Sequence, residues 1–214
     1  MALIPHRSFR LEDIDPLPLL WALMEMRKKQ PAPTAVKEIT KNVWVSETTL
    51  QHRPAFMPLA TSVLACAAQM VEGRLKVANM WGNLAAAGAR IGSHNHLNTG
   101  KRVNLVTCVF FLTEGGALCL SEEKDGAQVW IVPAAPKKLV IFDSGMFHAV
   151  PLHIGPEDRG TVVVDVCLDV QAGAGRWKGR RDHRADVAKS GVRGLPGRGR
   201  CTVDQVLALF KDVL

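Results

Sequence analysis

Residues 90–112, RIGSHNHLNTGKRVNLVTCVFFL, hold two strand-like runs, Arg90–His96 and Val103–Leu112, on either side of a polar turn. The first run ends on His94-Asn95-His96. Side chains at i and i+2 of a strand project from one face, so these two imidazoles can reach a single ion side by side. The second run is apolar, β-branched or aromatic over most of its length, which is the texture of a buried strand. The pair alone is weak evidence, because two histidines on a polar loop beside Ser93, Asn98 and Thr99 would read the same way.

Working outward, similar runs recur at Leu75–Trp81, Ala117–Leu120, Gln128–Val132, Lys138–Phe142, Phe147–Val150 and Thr161–Leu168. Gly, Pro, Asn and Asp separate them. Eight short strands with such turn signals predict a sandwich or barrel of the jelly-roll kind. Ahead of them, Asp15 to Lys29 has helical spacing of Leu19, Leu20, Leu23, Met24 and Met26, stopped by Pro31 and Pro33. Asn42 to Ser46 reads as a short strand, and Pro58 to Glu72 as a second helix with Gly73 as its stop. Helices first and strands later make the class mainly β (α+β), with the N-terminal helices packed on one sheet.

Two more residues extend the histidine pair. His148 follows His96 by 52 residues and comes straight after the buried-strand-and-turn text Leu139-Val140-Ile141-Phe142-Asp143-Ser144-Gly145. Arg159 comes 11 residues after His148, with a hydroxyl at Thr161 on the same strand face. A third imidazole from a distant strand would leave coordination positions open on a shared ion. The guanidinium fork of Arg159 suits a carboxylate, although a surface arginine beside Glu157 and Asp158 is the plainer alternative.

From Asn79 to Val166 the chain resembles the core of the iron(II)- and 2-oxoglutarate-dependent oxygenases, most closely a small bacterial and phage group. The resemblance rests on Trp81, Asn83, Gly88, His94-Asn95-His96, the strand Val103–Leu112, Glu114-Gly115-Gly116, Phe142-Asp143-Ser144, His148 and Arg159-Gly160-Thr161 in that order. It implies a double-stranded β-helix, jelly-roll or cupin-like. It also implies Fe(II) as the metal, 2-oxoglutarate as co-substrate, and hydroxylation of an unknown primary substrate. By the same resemblance, His94, His96 and His148 would be the metal ligands and Arg159 with Thr161 the anchor for 2-oxoglutarate, with Asn83 and Asp143 as further candidates.

One departure stands out. Most members of that superfamily carry an acid where this chain has His96. His96 is then the third ligand of a neutral three-histidine site, which is the favoured reading. Alternatively it stands behind the ion while Asp143 or Asp165 supplies the acid, or the site is degenerate and metal-free. A three-histidine cupin acting without 2-oxoglutarate would use the same ligands. Cupins often carry a Glu shortly after H-x-H, however, and Leu97 to Arg102 has none. The non-enzymatic alternative is a β-barrel binding module.

Composition bounds the rest. At 214 residues with 47% hydrophobic and 22% charged residues, the chain suits one soluble domain with a real core. Met1 to Arg10 lacks a signal-peptide apolar region, and no apolar run approaches the ~20 residues of a membrane span, so a cytoplasmic protein without membrane contact is expected. The five cysteines form no CxxC pair and read as reduced thiols. Between Ala172 and Cys201, nine Lys or Arg stand against two Asp, which accounts for the whole net charge of +7. The expected organisation is therefore one domain over residues 1–170, a basic Gly/Arg-rich arm over 171–201, and a C-terminal helix over 202–214. The helix opens on Thr202-Val203-Asp204-Gln205, and its apolar face suits a homodimer contact. Lys178, Arg180, Arg181 and Arg184 beside Trp177 could meet phosphates, but no nucleic-acid-binding motif is present, and a small-molecule substrate is the expected partner.

Overall fold

The strand that organises the molecule is β3, Leu75–His94, a single 20-residue strand where the sequence suggested two separate runs. The weak β-formers between those runs, Gly82, Ala85 to Ala87 and Gly88, are held extended by neighbours on several sides. β2 (Thr40–Val45) pairs with residues 83–91 of β3. β11 (Arg159–Leu168) pairs with residues 75–85, and β10 (Phe147–Val150) with residues 91–94. The computed structural model describes residues 6–30, 40–99, 102–124, 126 and 129–169. The basic arm and the C-terminal helix expected from the sequence lie outside them.

In chain order the remaining elements are β1 (His6–Arg10), α1 (Pro16–Lys29), α2 (Met57–Ala67), β4 (Asn98–Thr99), β5 (Arg102–Val103), β6 (Val106–Phe111), β7 (Ala117–Ser121), β8 (Trp130–Pro133) and β9 (Lys138–Asp143). The main sheet is antiparallel and runs β1-β9-β6-β11-β3-β10-β7-β8. Because β3 pairs with β11 along its first half and with β10 at its end, one curled sheet serves as both walls. The result is a double-stranded β-helix of the jelly-roll type, mainly β with helices packed on one wall. β1 is an addition the sequence reading lacked. α2 ends at Ala67, five residues short of the expected Glu72; residues 68–71 continue only as turns bonded back to Leu64, Cys66 and Ala67.

Two apolar layers fix this arrangement. Outside the larger wall, Val162, Val164, Cys108, Phe110, Leu139 and Ile141 pack against Leu19 and Leu23 of α1 and Leu59 and Val63 of α2. Each such side chain contributes about 1.5–3 kcal/mol of burial. Between the walls, Val109, Val140, Phe142 and Val163 meet Leu118, Leu120 and Val132. The Asp15 side chain caps α1 by accepting from Leu17 N at 3.0 Å, and Arg27, Lys28 and Lys29 occupy its last turn, as the helix dipole favours. α1 lies flat on the sheet because Gly82 faces it: a Cβ there would stand 2.4 Å from the Leu23 side chain. Arg27 also pairs with Asp158 at 2.5 Å, tying α1 to the residue before β11. Cys66, Cys108, Cys119 and Cys167 are buried and in no disulfide among the described residues, and burial raises Cys119 to about 11.

Candidate metal centre

His94 is the last residue of β3 and pairs in register with His148, the second residue of β10. The sheet ladder thus sets two imidazoles from distant sequence side by side. His96 lies two residues past β3, where its backbone N–H donates to Ser144 O at 2.9 Å and its carbonyl accepts from Asn104 Nδ2 at 2.8 Å. Ring centroids are 4.2 Å apart for His94 and His148, 4.8 Å for His96 and His148, and 5.1 Å for His94 and His96. One potential ligand nitrogen from each lies within 4.8 Å of the others.

Three imidazoles this close cannot all be charged. Burial pushes His148 well below its ordinary value, and His94 and His96 lower it further. Burial likewise lowers His94. Neutral imidazole is the form that binds metal. Hydrogen-bond partners assign the tautomers. His94 Nδ1 lies 2.8 Å from Gly92 O, which can only accept, so Nδ1 carries the proton and Nε2 its lone pair. His96 Nδ1 lies 2.9 Å from Asp165 Oδ1, an acceptor, so Nδ1 carries a proton there too. His148 Nδ1 is buried without a hydrogen-bond partner.

These donors fit a divalent ion of borderline softness.

Behind His96 stands a buried polar row. Asn79, Asp165 and Thr107 occupy opposing positions on β3, β11 and β6. Asp165 Oδ1 accepts from His96 Nδ1 and from Thr107 Oγ1 at 3.1 Å, and Oδ2 accepts from Asn79 Nδ2 at 3.5 Å. Because Thr107 gives its proton to the carboxylate, Ser144 Oγ must donate to Thr107 Oγ1, at 3.0 Å.

Arg159 opens β11 on the same inward face. Only 4% of it is exposed, its Nε has no hydrogen-bond partner, and no ion pair involves it among the described residues. Burial lowers its pKa to about 10, so it remains charged at neutral pH. Gly116 makes room for it. A Cβ there would stand 2.6 Å from Arg159 Nη1, and the backbone has φ +78°, which L side chains rarely adopt. Thr161 is buried two residues on, with Asn83 Nδ2 3.5 Å from its hydroxyl.

Asp143, His153 and Trp81 sit differently. Asp143 caps the turn before β10, its Oδ1 accepting from Gly145 N at 2.8 Å, and the cluster of possible metal ligands among the described residues consists of the three histidines alone. His153 is buried in the loop before β11, bonded through its backbone to Ala89 and Gly88 and through Nε2 to Glu157 O. Trp81 is half-buried in the inner apolar layer, 5.3 Å from the His96 ring, so it is at once core and part of the site wall. Thr107 was not visible in the sequence as a site residue, and Ser144 and Gly116 stood there only as members of Phe142-Asp143-Ser144 and Glu114-Gly115-Gly116, since their roles depend on register between distant strands.

No family model matches the chain, and no curated protein sequence does. Solved structures do. A prolyl-4-hydroxylase from Pseudomonas putida superimposes with a TM-score of 0.58 at 19% identity, covering 78% of this chain and 94% of that one. HygX from Streptomyces hygroscopicus, solved with nickel and 2-oxoglutarate bound, gives 0.61 at 11%, covering 77% and 83%. SnoK, a non-heme alpha-ketoglutarate-dependent carbocyclase from nogalamycin biosynthesis, gives 0.64 at 12%, covering 76% and 79%. At these identities the likeness concerns the fold alone: the chain shares the double-stranded β-helix of these structures.

Proposed function

We propose that this chain is an Fe(II)- and 2-oxoglutarate-dependent oxygenase that hydroxylates an unidentified primary substrate. The observation carrying the reading is Arg159: a charged guanidinium, buried without an acid among the described residues, on the inner face of β11, the strand whose Asp165 meets His96. Such a charge is costly to bury unpaired, and a dicarboxylic co-substrate supplies the missing partner. HygX, solved with 2-oxoglutarate bound in the same fold, supports the assignment.

When bound, the metal with 2-oxoglutarate and O₂ would convert a substrate C–H to C–OH, releasing succinate and CO₂. The chain's own residues have narrower tasks. His94, His96 and His148 hold the ion through neutral nitrogens. Arg159 and the Thr161 hydroxyl grip the remote carboxylate of the 2-oxo acid, and the Asn83 amide keeps that hydroxyl oriented. Val109, Val163, Leu118 and Leu120 of the inner layer exclude water from the surroundings of the site. Asp143 keeps the turn that delivers His148.

Under anaerobic conditions Fe(II) plus 2-oxoglutarate should give the weak visible charge-transfer band of such chelates. His148→Ala should remove it, and Arg159→Ala should weaken 2-oxoglutarate binding by about 100-fold, since truncating one partner of a buried charge pair costs roughly 2–5 kcal/mol. A band that persists at wild-type 2-oxoglutarate concentrations in both variants would refute the assignments. Oxygen uptake without 2-oxoglutarate would instead point to a cupin-type dioxygenase.

A further inference from the structure

We infer that Asp165 is the carboxylate this metal centre lacks among its ligands, held one hydrogen bond behind the ion instead of on it. The inference rests on the metal-binding reading above and adds a positioning residue to it.

A carboxylate with 1% exposure is expensive to keep in a protein interior unless it is fully hydrogen-bonded. Asp165 has three donors, from His96, Thr107 and Asn79, and its single ion-pair partner among the described residues is His96. No lysine or arginine offsets it there. The carboxylate oxygen lies 2.9 Å from His96 Nδ1, and it fixes the tautomer that turns Nε2 toward His94 and His148. An imidazole that donates to a carboxylate becomes the more basic ligand. The electron density and negative charge that an acid at position 96 would give directly are therefore delivered through the ring. Ser144 and Thr107 complete the linkage: Ser144 holds the His96 backbone through its carbonyl, and Thr107 through its hydroxyl donates to Asp165. Backbone and ring of His96 are thus fixed by one connected set of bonds.

A purely structural role would tie β3, β11 and β6 together without affecting the ion, so the test must separate the two. Asp165→Asn keeps an acceptor for His96 Nδ1 and removes the charge. Mn(II) affinity of the full chain, titrated by electron paramagnetic resonance, should fall 10–100-fold in this variant, the usual range for outer partners of ligating histidines. The second arm moves the charge. His96→Asp places two buried carboxylates in contact and should abolish Mn(II) binding, whereas His96→Asp combined with Asp165→Asn should recover at least tenfold of that loss.

Wild-type Mn(II) affinity in Asp165→Asn would overturn the inference while leaving the three-histidine site standing. Failure of the wild-type protein to bind Mn(II) or Fe(II) would remove the site and the inference together. If Asp165→Asn also lowers the melting temperature of the metal-free protein, the double variant decides: recovery upholds the role, and no recovery overturns it.

Discussion

The two faces of β11 share one backbone, the same neighbours β3 and β6, and opposite chemistry. Gly160, Val162, Val164 and Val166 face outward, where the three valines enter the apolar layer under α1 and α2 and Gly160 lets Leu20 approach. Arg159, Thr161, Val163 and Asp165 face inward, and three of those four are polar and buried. The outer face stabilises the fold. The inner face carries groups that burial penalises, and the ladder with the outer layer keeps them in place. Where a strand is polar on its buried inner face, the chemistry of the protein is to be sought.

That contrast can be broken most visibly by exchanging its logic. Phe110→Ala, on the outer face of β6, should cost about 3–5 kcal/mol, lowering the melting temperature by on the order of 10 °C in a calorimetric scan. Arg159→Met should do the reverse. By removing an uncompensated buried charge it should leave the melting temperature unchanged or raise it, by roughly 1 kcal/mol or more, while 2-oxoglutarate binding is lost. Comparable destabilisation by both variants would erase the distinction between the faces.

Gly116→Ala sharpens the same point from the neighbouring loop. The positive φ alone should cost about 1 kcal/mol, and the new methyl would displace the guanidinium it faces, so 2-oxoglutarate affinity should drop with only a modest loss of stability. Calorimetry of binding and of unfolding on one sample separates the two.

The smallest effect is on pH dependence without metal. His148 and His94 have folded-state values below the ordinary 6.5. The unfolded chain therefore binds more protons than the folded one below that value, and stability rises with pH there. The melting temperature of the metal-free protein should fall as pH drops through about 6.5, and His148→Gln should flatten part of that slope. A steeper or unchanged slope in the variant would place the titrating group elsewhere.

Much of this was legible in the sequence, and the rest failed for identifiable reasons. The strands of the two walls announced themselves because both faces are buried and the runs are almost continuously apolar, as in Val106–Phe111. The three histidines and Arg159 were visible as residue types at suggestive intervals, with strand ends around them. β1 was not, because HRSFR is a half-exposed strand held by backbone pairing to β9. The continuity of β3 was hidden by glycines and alanines whose extended state is imposed by three partners. α2 stops early although its apolar spacing continues, so periodicity alone overstated it. Asp165 was noticed as a possible ligand, but its contact with His96 spans 69 residues of sequence and follows only from the register of β3, β11 and β6.

The central claim is that three imidazoles, from the end of β3, the segment just past it and β10, close on one ion. Anomalous diffraction from crystals soaked anaerobically in Fe(II) measures it directly. One iron peak should stand within about 2.2 Å of a nitrogen from each of His94, His96 and His148, with Asp165 still bonded to the far side of His96. A peak bound by only two histidines, or by Asp143 or Asp165 in place of His96, would contradict it.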